Sequence, residues 1–411
     1  MSSTSVLAHP LKTGYDGPLL GTNNITGKMY FLFFTSGTLL MYTYVGYFLT
    51  VLLLGPVVRR LRRQHLADEK HTPFVSMIIS LHNEEKLITQ RIENFEALDY
   101  PADRCELLLG DDCSNDHTRE LIRERMRHNP RIRFFPFDTH QGKTAVINIL
   151  VPQAKGEIIA FTDANTFYAT DSMRKMCQHF VDQKIGSVSG RLILKSATGM
   201  NTDDDYWKYE TLLKQLESQL GVVLGANGGI YTLRKELFRP LKSDVIQIDD
   251  FIWPVSVYER GYEGIYEPAA IANEEASPYV EAEFRRKVRI GTGNYRALIE
   301  CHKLLLPWKG WIAFAFWSHK VLRWLAPFLL IALLVTNAFL PEYRWLFFAQ
   351  CAGYLAAGLG MFFSKQRHIL AKILRVPYYF VGSNVALLIG FYKCVTGRQK
   401  ATWTQKAHRA A

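Results

Sequence analysis

Long uncharged stretches flank a polar middle in this chain. Tyr30 to Leu54 is nearly free of charge and long enough to cross about 30 Å of hydrocarbon. It ends in Gly55-Pro56 and the arginines Arg59, Arg60, Arg62 and Arg63, not in a small-residue cleavage site. That pattern predicts a retained span over 28–56 and not a signal peptide. Residues 1–27, rich in Gly, Thr and Asn, are expected to form an unstructured extracytoplasmic terminus. The C-terminal quarter repeats the signal over 321–396. Val321 to Leu340 predicts one span, closed by Pro341-Glu342-Tyr343-Arg344. Trp345 to Phe363 predicts a second, and Tyr378 to Tyr392 a third, short and interrupted by Gly382, Ser383 and Asn384. Ahead of them, the aromatic-rich stretch Trp308 to Trp317 predicts an interfacial helix within 304–318. Four crossings put the tail, 397–411, outside, whereas its Arg398, Lys400, Lys406 and Arg409 favour the inside. Both placements stay open. No internal symmetry and no membrane-buried ionisable residue is visible in these helices, which argues against a transporter.

Between the spans, 64–303 reads as a soluble domain that alternates short apolar runs with helical periods. Phe74 to Ser80 is too short for a helix and rich in strand formers; a helical stretch follows to Ala97. Cys105 to Gly110 predicts a strand and Ser114 to His128 a helix. Arg131 to Phe135 is a third strand, Thr144 to Gln153 a helix, and Glu157 to Phe161 a fourth strand. This alternation predicts an α/β fold, a mostly parallel sheet with helices on both faces, inserted between transmembrane helices. Ligands of such sheets bind beyond the carboxyl ends of the strands.

The net charge of +11 does not point to nucleic acid, because the basic residues cluster where a bilayer predicts them. Arg59 to Arg63 follow one span and Lys365, Arg367 and His368 another. The six cysteines are scattered without metal-ligand spacing, so neither a zinc site nor a disulfide scaffold is indicated.

Three acidic clusters carry the candidate chemistry: Asp111-Asp112, Asp163-Ala-Asn165 and Asp249-Asp250. Asp111 or Asp112 either accepts hydrogen bonds from a base or ribose or caps the next helix together with Ser114. Asp163 offers the hard oxygen that a divalent cation on a diphosphate requires. Asp250, before the helical stretch Phe251 to Arg260, is placed either to take a proton or to cap that helix. Asp249 beside it shares the negative charge.

The ordered set Ser80-Leu-His-Asn-Glu84, Gly110-Asp-Asp-Cys-Ser-Asn-Asp116, Gly142-Lys143, Phe161-Thr-Asp-Ala-Asn165, Gly225-Ala-Asn-Gly-Gly229 and Ile248-Asp-Asp-Phe251 resembles the membrane-embedded inverting family-two glycosyltransferases. These include hyaluronan, chitin, cellulose and poly-N-acetylglucosamine synthases. The resemblance implies a Rossmann-like, nucleotide-sugar-binding sheet of the GT-A type. It implies a UDP-sugar donor held by Asn83, Glu84, Asp111, Asp112 (the favoured uridine contact) and Lys143, and Mg2+ or Mn2+ on Asp163 and Asn165. Most relatives carry a second aspartate where this chain has Asn165. Asp250 matches the last aspartate of the family's Thr-Glu-Asp triplet and would be the base, with Asp249 orienting it. Trp207 resembles an aromatic near the acceptor channel, and a core tryptophan is an equal reading. The family's Gln-x-x-Arg-Trp is diverged: Glu283 to Asn294 lacks both the glutamine and the tryptophan. Arg285, Arg286 and Arg289 in that stretch either clamp the diphosphate or face anionic lipid.

The expected activity is transfer of a sugar, with inversion, to a growing β-linked polysaccharide at the cytoplasmic face of the inner membrane. The alternative is transfer of one sugar to a lipid-linked or glycolipid acceptor. Expected partners are the donor, the acceptor, membrane lipid and export or accessory subunits, with no nucleic acid.

Overall fold

The computed structural model describes residues 20–62, 64–195, 204–244, 248–275, 280–363 and 369–398. The expectations for the first residues, for Lys365, Arg367 and His368, for most of the basic tail and for the side chain of Trp207 lie outside what is described. Helix α1 (Leu20–Met41) passes through one π-helical turn, Tyr42–Gly46, into α2 (Tyr47–Leu61). The middle of the chain then follows: β1 (Val75–Leu81), α3 (Ile88–Glu96), β2 (Cys105–Asp112), α4 (Thr118–His128), β3 (Ile132–Phe137), α5 (Lys143–Gln153) and β4 (Ile158–Phe161). It continues with β5 (Thr166–Tyr168), α6 (Ser172–Cys177), β6 (Ile185–Lys195), α7 (Asp204–Gln219), β7 (Tyr231–Arg234), α8 (Asp249–Ser256), β8 (Glu263–Glu275) and α9 (Val280–Glu300). The last helices are α10 (Trp311–Ala315), α11 (Leu322–Ala338), α12 (Arg344–Phe363) and α13 (Ile369–Thr396).

The eight strands form one sheet in the order β3-β2-β1-β4-β7-β6-β8-β5. The first half is parallel, as the alternation of strand and helix predicts, with β1 between β2 and β4. The mostly parallel expectation is corrected beyond β4. There β7 pairs antiparallel with both β4 and β6, and β5 pairs antiparallel with β8, so the sheet is mixed. The long excursion from β4 to β7 lets the chain return against the direction of β4, which a tight strand–helix–strand repeat does not allow.

Side chains alternate across the sheet and feed two separate cores. Met77 and Ile79 of β1 pack under α3, α4 and α6 with Ile92, Ile122 and Met176. Ile78, one residue out of phase, joins Leu108, Ile159 and Phe161 in the other core, with side chains of α5, α7, α8 and the membrane-side helices. The second core includes Tyr47 and Val51 of α2 and Phe316 and Trp324 near the start of α11. The sheet is therefore continuous in packing with two of the long apolar helices.

Among the described residues, four helical segments are long and apolar enough to cross a membrane: Ile25–Leu61, Trp311–Ala338, Pro341–Phe363 and Ile369–Thr396. Their bounds differ from the sequence expectation in two places. Gly310, with φ of +66°, ends a short turn, and from Trp311 the aromatic segment runs through a π turn, Phe316–Val321, into α11. It is not a separate helix, because no glycine or proline stands between Gly310 and Leu322. The last span is continuous through Gly382, Ser383 and Asn384, since Asn384 donates its amide to the Phe380 carbonyl at 2.9 Å instead of interrupting the ladder.

Candidate active site

The acidic clusters stand at the ends of β2 and β4 and at the start of α8, and the fold brings them into one connected constellation. Asp111 and Asp112 close β2 and are both almost fully buried. The Asp112 carboxylate accepts the backbone N–H of Gln141 at 2.6 Å and of Gly142 at 2.8 Å, and His140 Nδ1 lies 2.8 Å away. Gly142 has φ of +89°, a conformation glycine adopts without steric cost, which lets the loop turn onto that carboxylate. Asp112 thus fixes the loop that presents Lys143 at the head of α5. Asp111 accepts from the Arg119 guanidinium and from the Ser114 backbone N–H, and its Oδ1 has no hydrogen-bond partner.

Capping of the region around α4 falls to other side chains. Asp116 accepts from the Thr118 N–H at 3.1 Å, and the Ser114 hydroxyl accepts from the Asn83 N–H at 2.7 Å. Asn83 sits in the left-handed region, φ of +55°, with its side-chain oxygen on the Asn115 N–H, while the Glu84 N–H donates to Thr118 Oγ1. Asn83 and Glu84 therefore belong to a loop pinned to the end of β2, beside the rings of His82 and His140, 4.6 Å apart and tilted by 41°.

Lys143 is the hinge of the constellation. Its ammonium lies 2.8 Å from Asp163 Oδ1 and 3.2 Å from Asp249 Oδ2. Burial opposes its charge, but Asp163 and Asp249 prevail and hold it well above the usual lysine range. Asp250 follows at the first turn of α8. Its carboxyl is pushed up to about 6 by burial and then by Asp249, with Lys143 pulling the other way. A side chain at Gly228 would put its Cβ 2.8 Å from Asp250 Oδ2, so the glycine loop is what leaves that carboxylate accessible. Arg289, on the exposed face of α9, is within electrostatic reach of Asp249, Asp250 and Asp163. Arg286 pairs with Glu283 at 3.5 Å, and Arg285 is exposed on the same helix.

Asp163 and Asn165 fit a hard divalent cation in part. Among the described residues no group of three or more His, Cys, Asp or Glu is arranged to hold a metal. A cation of the Mg2+ type needs only one or two protein oxygens when substrate phosphates and water complete the shell. The carboxylate and amide oxygens here match that donor chemistry.

Sequence reasoning missed two features. One is Glu274 on β8, whose carboxylate accepts the Asn165 amide at 3.2 Å; its carboxyl is raised, by burial first and then by Asp163. Nothing in the linear spacing ties residue 274 to 165; only the β5–β8 pairing does. The other is a buried ionic cluster where the helices meet the domain. His319, almost fully buried, sits 2.6 Å from Glu217 and 3.7 Å from Glu210. Tyr47 donates to Glu217 at 2.7 Å, Arg323 pairs with Glu210, and Lys214 donates to Asn227 at 2.6 Å. The expectation of no buried ionisable residue in these helices is corrected: His319 and Arg323 lie in Trp311–Ala338. The signal was present as His319, Lys320 and Arg323 at the start of an apolar run.

Residues 76–239 match the family described as Glycosyl transferase family 2. Over this segment the chain is similar to that family. Among curated proteins, it is similar to the β-monoglucosyldiacylglycerol synthase of Trichormus variabilis, 28% identical over 156 residues, covering 38% of this chain and 32% of that protein. It is also similar to the poly-β-1,6-N-acetyl-D-glucosamine synthase of Staphylococcus epidermidis, 22% identical over 241 residues, covering 57% of each. The chain thus spans between about a third and somewhat over half the length of these relatives. Its fold is similar to a mannosyltransferase from Pyrobaculum calidifontis, solved in complex with GDP-Man and Mn2+. That likeness has a TM-score of 0.66 at 21% identity, and covers 90% of this chain and all of that one. The domain between the candidate spans therefore has a GT-A-like mixed sheet flanked by candidate membrane helices.

Proposed function

We propose that this protein transfers a sugar from a nucleotide diphosphate sugar, a UDP-sugar in the first instance, to an acceptor hydroxyl with inversion at the anomeric carbon. The reading places the domain on the cytoplasmic face of the membrane. One observation carries it: Lys143 bridges Asp163 and Asp249, with Asp250 next in the chain.

Asp250 is the base. A carboxyl at about 6 is ionised at neutral pH yet basic enough to take the proton of an attacking hydroxyl. Asp249 holds Lys143 beside it and keeps the base from drifting. Lys143 and Arg289 supply the positive charge that a departing diphosphate needs. Asp163 and Asn165 would hold a divalent cation, which when bound neutralises charge on the phosphates. Asp112 fixes the loop bearing Lys143, and Asn83 and Glu84 form the neighbouring wall for the nucleoside.

Phe251, next to Asp250, packs on Phe316 and Trp324 at 5.6 and 5.7 Å between ring centroids, which sets the base against the membrane-side helices. Our first reading of the acceptor is a growing β-linked polysaccharide. A second reading, one sugar added to a glycolipid or lipid-linked acceptor, is favoured by α9, where Glu283 to Asn294 lacks the glutamine and the tryptophan of the family's polymer synthases. Purified protein in nanodiscs, given a panel of UDP- and GDP-sugars, tests both by product mass. A ladder of additions supports the polymer and a single addition supports the lipid acceptor. Absence of transfer from every donor refutes the transferase reading.

A further inference from the structure

Asparagine at 165 leaves the cation site one charge short of a pair of aspartates. The structure supplies a carboxylate to the same amide from a different strand. Asn165 immediately precedes β5, and β5 pairs antiparallel with β8 so that Thr166 faces Glu274. The Asn165 amide nitrogen donates to Glu274 Oε1 at 3.2 Å, and Thr166 Oγ1 lies 3.5 Å from Glu274 Oε2. Thr166 is fully buried, and the backbone of Gly229 closes over it so tightly that a Cβ there would meet its hydroxyl at 2.5 Å. The pair is therefore held by the sheet, not by two mobile side chains.

A carboxylate can only accept, so the amide must turn its nitrogen to Glu274. Its carbonyl oxygen is then the atom left for a hard cation. We propose that Glu274 is the positioning residue of this cation site: it orients the Asn165 amide and supplies, from β8, the negative charge that asparagine lacks. This rests on the assignment of Asp163 and Asn165 to a divalent cation above. Outer partners of this kind commonly change metal affinity by about 10–100-fold when removed. The Asn165–Glu274 pair then does the work of one aspartate with the charge set back by one hydrogen bond.

The test is Mn2+ affinity of the full-length protein in detergent, read by the electron paramagnetic resonance of free Mn2+, with saturating UDP in one arm and GDP in the other. Glu274→Gln is expected to weaken Mn2+ binding by about tenfold or more. Nucleotide binding in EDTA should be unchanged. The swap Asn165→Asp with Glu274→Gln restores an aspartate and an amide partner, and should return Mn2+ affinity to near the starting value. If Glu274→Gln destabilises the fold, Asn165→Asp alone serves. It sets two carboxylates against each other, so its thermal midpoint should fall without Mn2+ and recover on adding Mn2+ by more than the parent's does. Unchanged Mn2+ affinity in Glu274→Gln, or no Mn2+-dependent recovery in Asn165→Asp, overturns the role of Glu274 alone. Failure of the parent to bind Mn2+ with either nucleotide overturns it together with the cation assignment. Nucleotide binding without Mn2+ in that case leaves the donor site standing.

Discussion

Asp250 carries the proton chemistry, and its environment makes the claim measurable. Its carboxyl is raised from 3.8 to about 6, chiefly by burial and by Asp249. The rate constant kcat should therefore fall as pH drops through about 6, while donor binding declines less. Lys143 lowers the same group, so Lys143→Ala should move that acid limb to higher pH as well as weaken donor binding. A pH–rate profile of the two proteins checks the shift. Asp250→Asn should cut transfer by roughly 10²–10⁴-fold and leave nucleotide binding intact. The linkage has a definite sign. A carboxyl raised in the folded state contributes stability that is complete below its ordinary range and lost as pH rises through about 6. Asp250→Asn should thus gain thermal stability relative to the parent at pH 8 and not at pH 4, as thermal melts at the two pH values will report. The acids themselves were legible because each closes an apolar run. What they touch within the fold was not: the Asp112 carboxylate accepts the Gln141 and Gly142 N–H groups, partners set by tertiary folding.

Among the elements, α9 links the site to the membrane. It packs along α13 where two glycines meet: a Cβ on Gly390 would come within 2.7 Å of the Gly291 carbonyl carbon and the Thr292 nitrogen. Backbone atoms cannot yield as a flexible side chain can, so Gly390→Val should force the helices apart. Arg289, two residues before Gly291, would move with them. The expected result is a lower melting temperature in detergent and a raised KM for the donor, with a smaller change in kcat. Steady-state kinetics beside a melt separates that outcome from simple misfolding. Strands β1 to β4 and their helices were readable within a few residues, since buried parallel strands are short, apolar and separated by amphipathic helices. The reversed strands β5 and β7 were not. They have three and four residues, too few for a period to register, and their partners lie far along the chain.

At the scale of the molecule, the sheet domain and the first and second candidate spans behave as one packed body. Tyr47 of α2, Glu217 of α7 and His319 of the π turn share a buried contact, and Tyr42 and Ser318 join the two π turns at 3.0 Å. π turns inside long helices often mark functional sites, and these two face each other above the same core. Removing one member of a buried pair leaves the other uncompensated, at a cost of about 3–5 kcal/mol. Glu217→Ala should therefore destabilise the protein strongly. Arg174→Ala, which breaks the exposed pair with Asp99, should cost less than about 1 kcal/mol. Denaturation of both variants in the same detergent makes the comparison. This junction escaped the sequence because apolarity alone defines a span, and the ionisable residues at its head read as flanking charge. The central claim is that the Lys143–Asp163–Asp249–Asp250 constellation performs sugar transfer. Its most direct test is the mass of product formed from labelled nucleotide sugars by the purified protein and by Asp250→Asn in nanodiscs. The account predicts an acceptor heavier by one or more sugars with the parent and none with the variant. Equal product from both would contradict it.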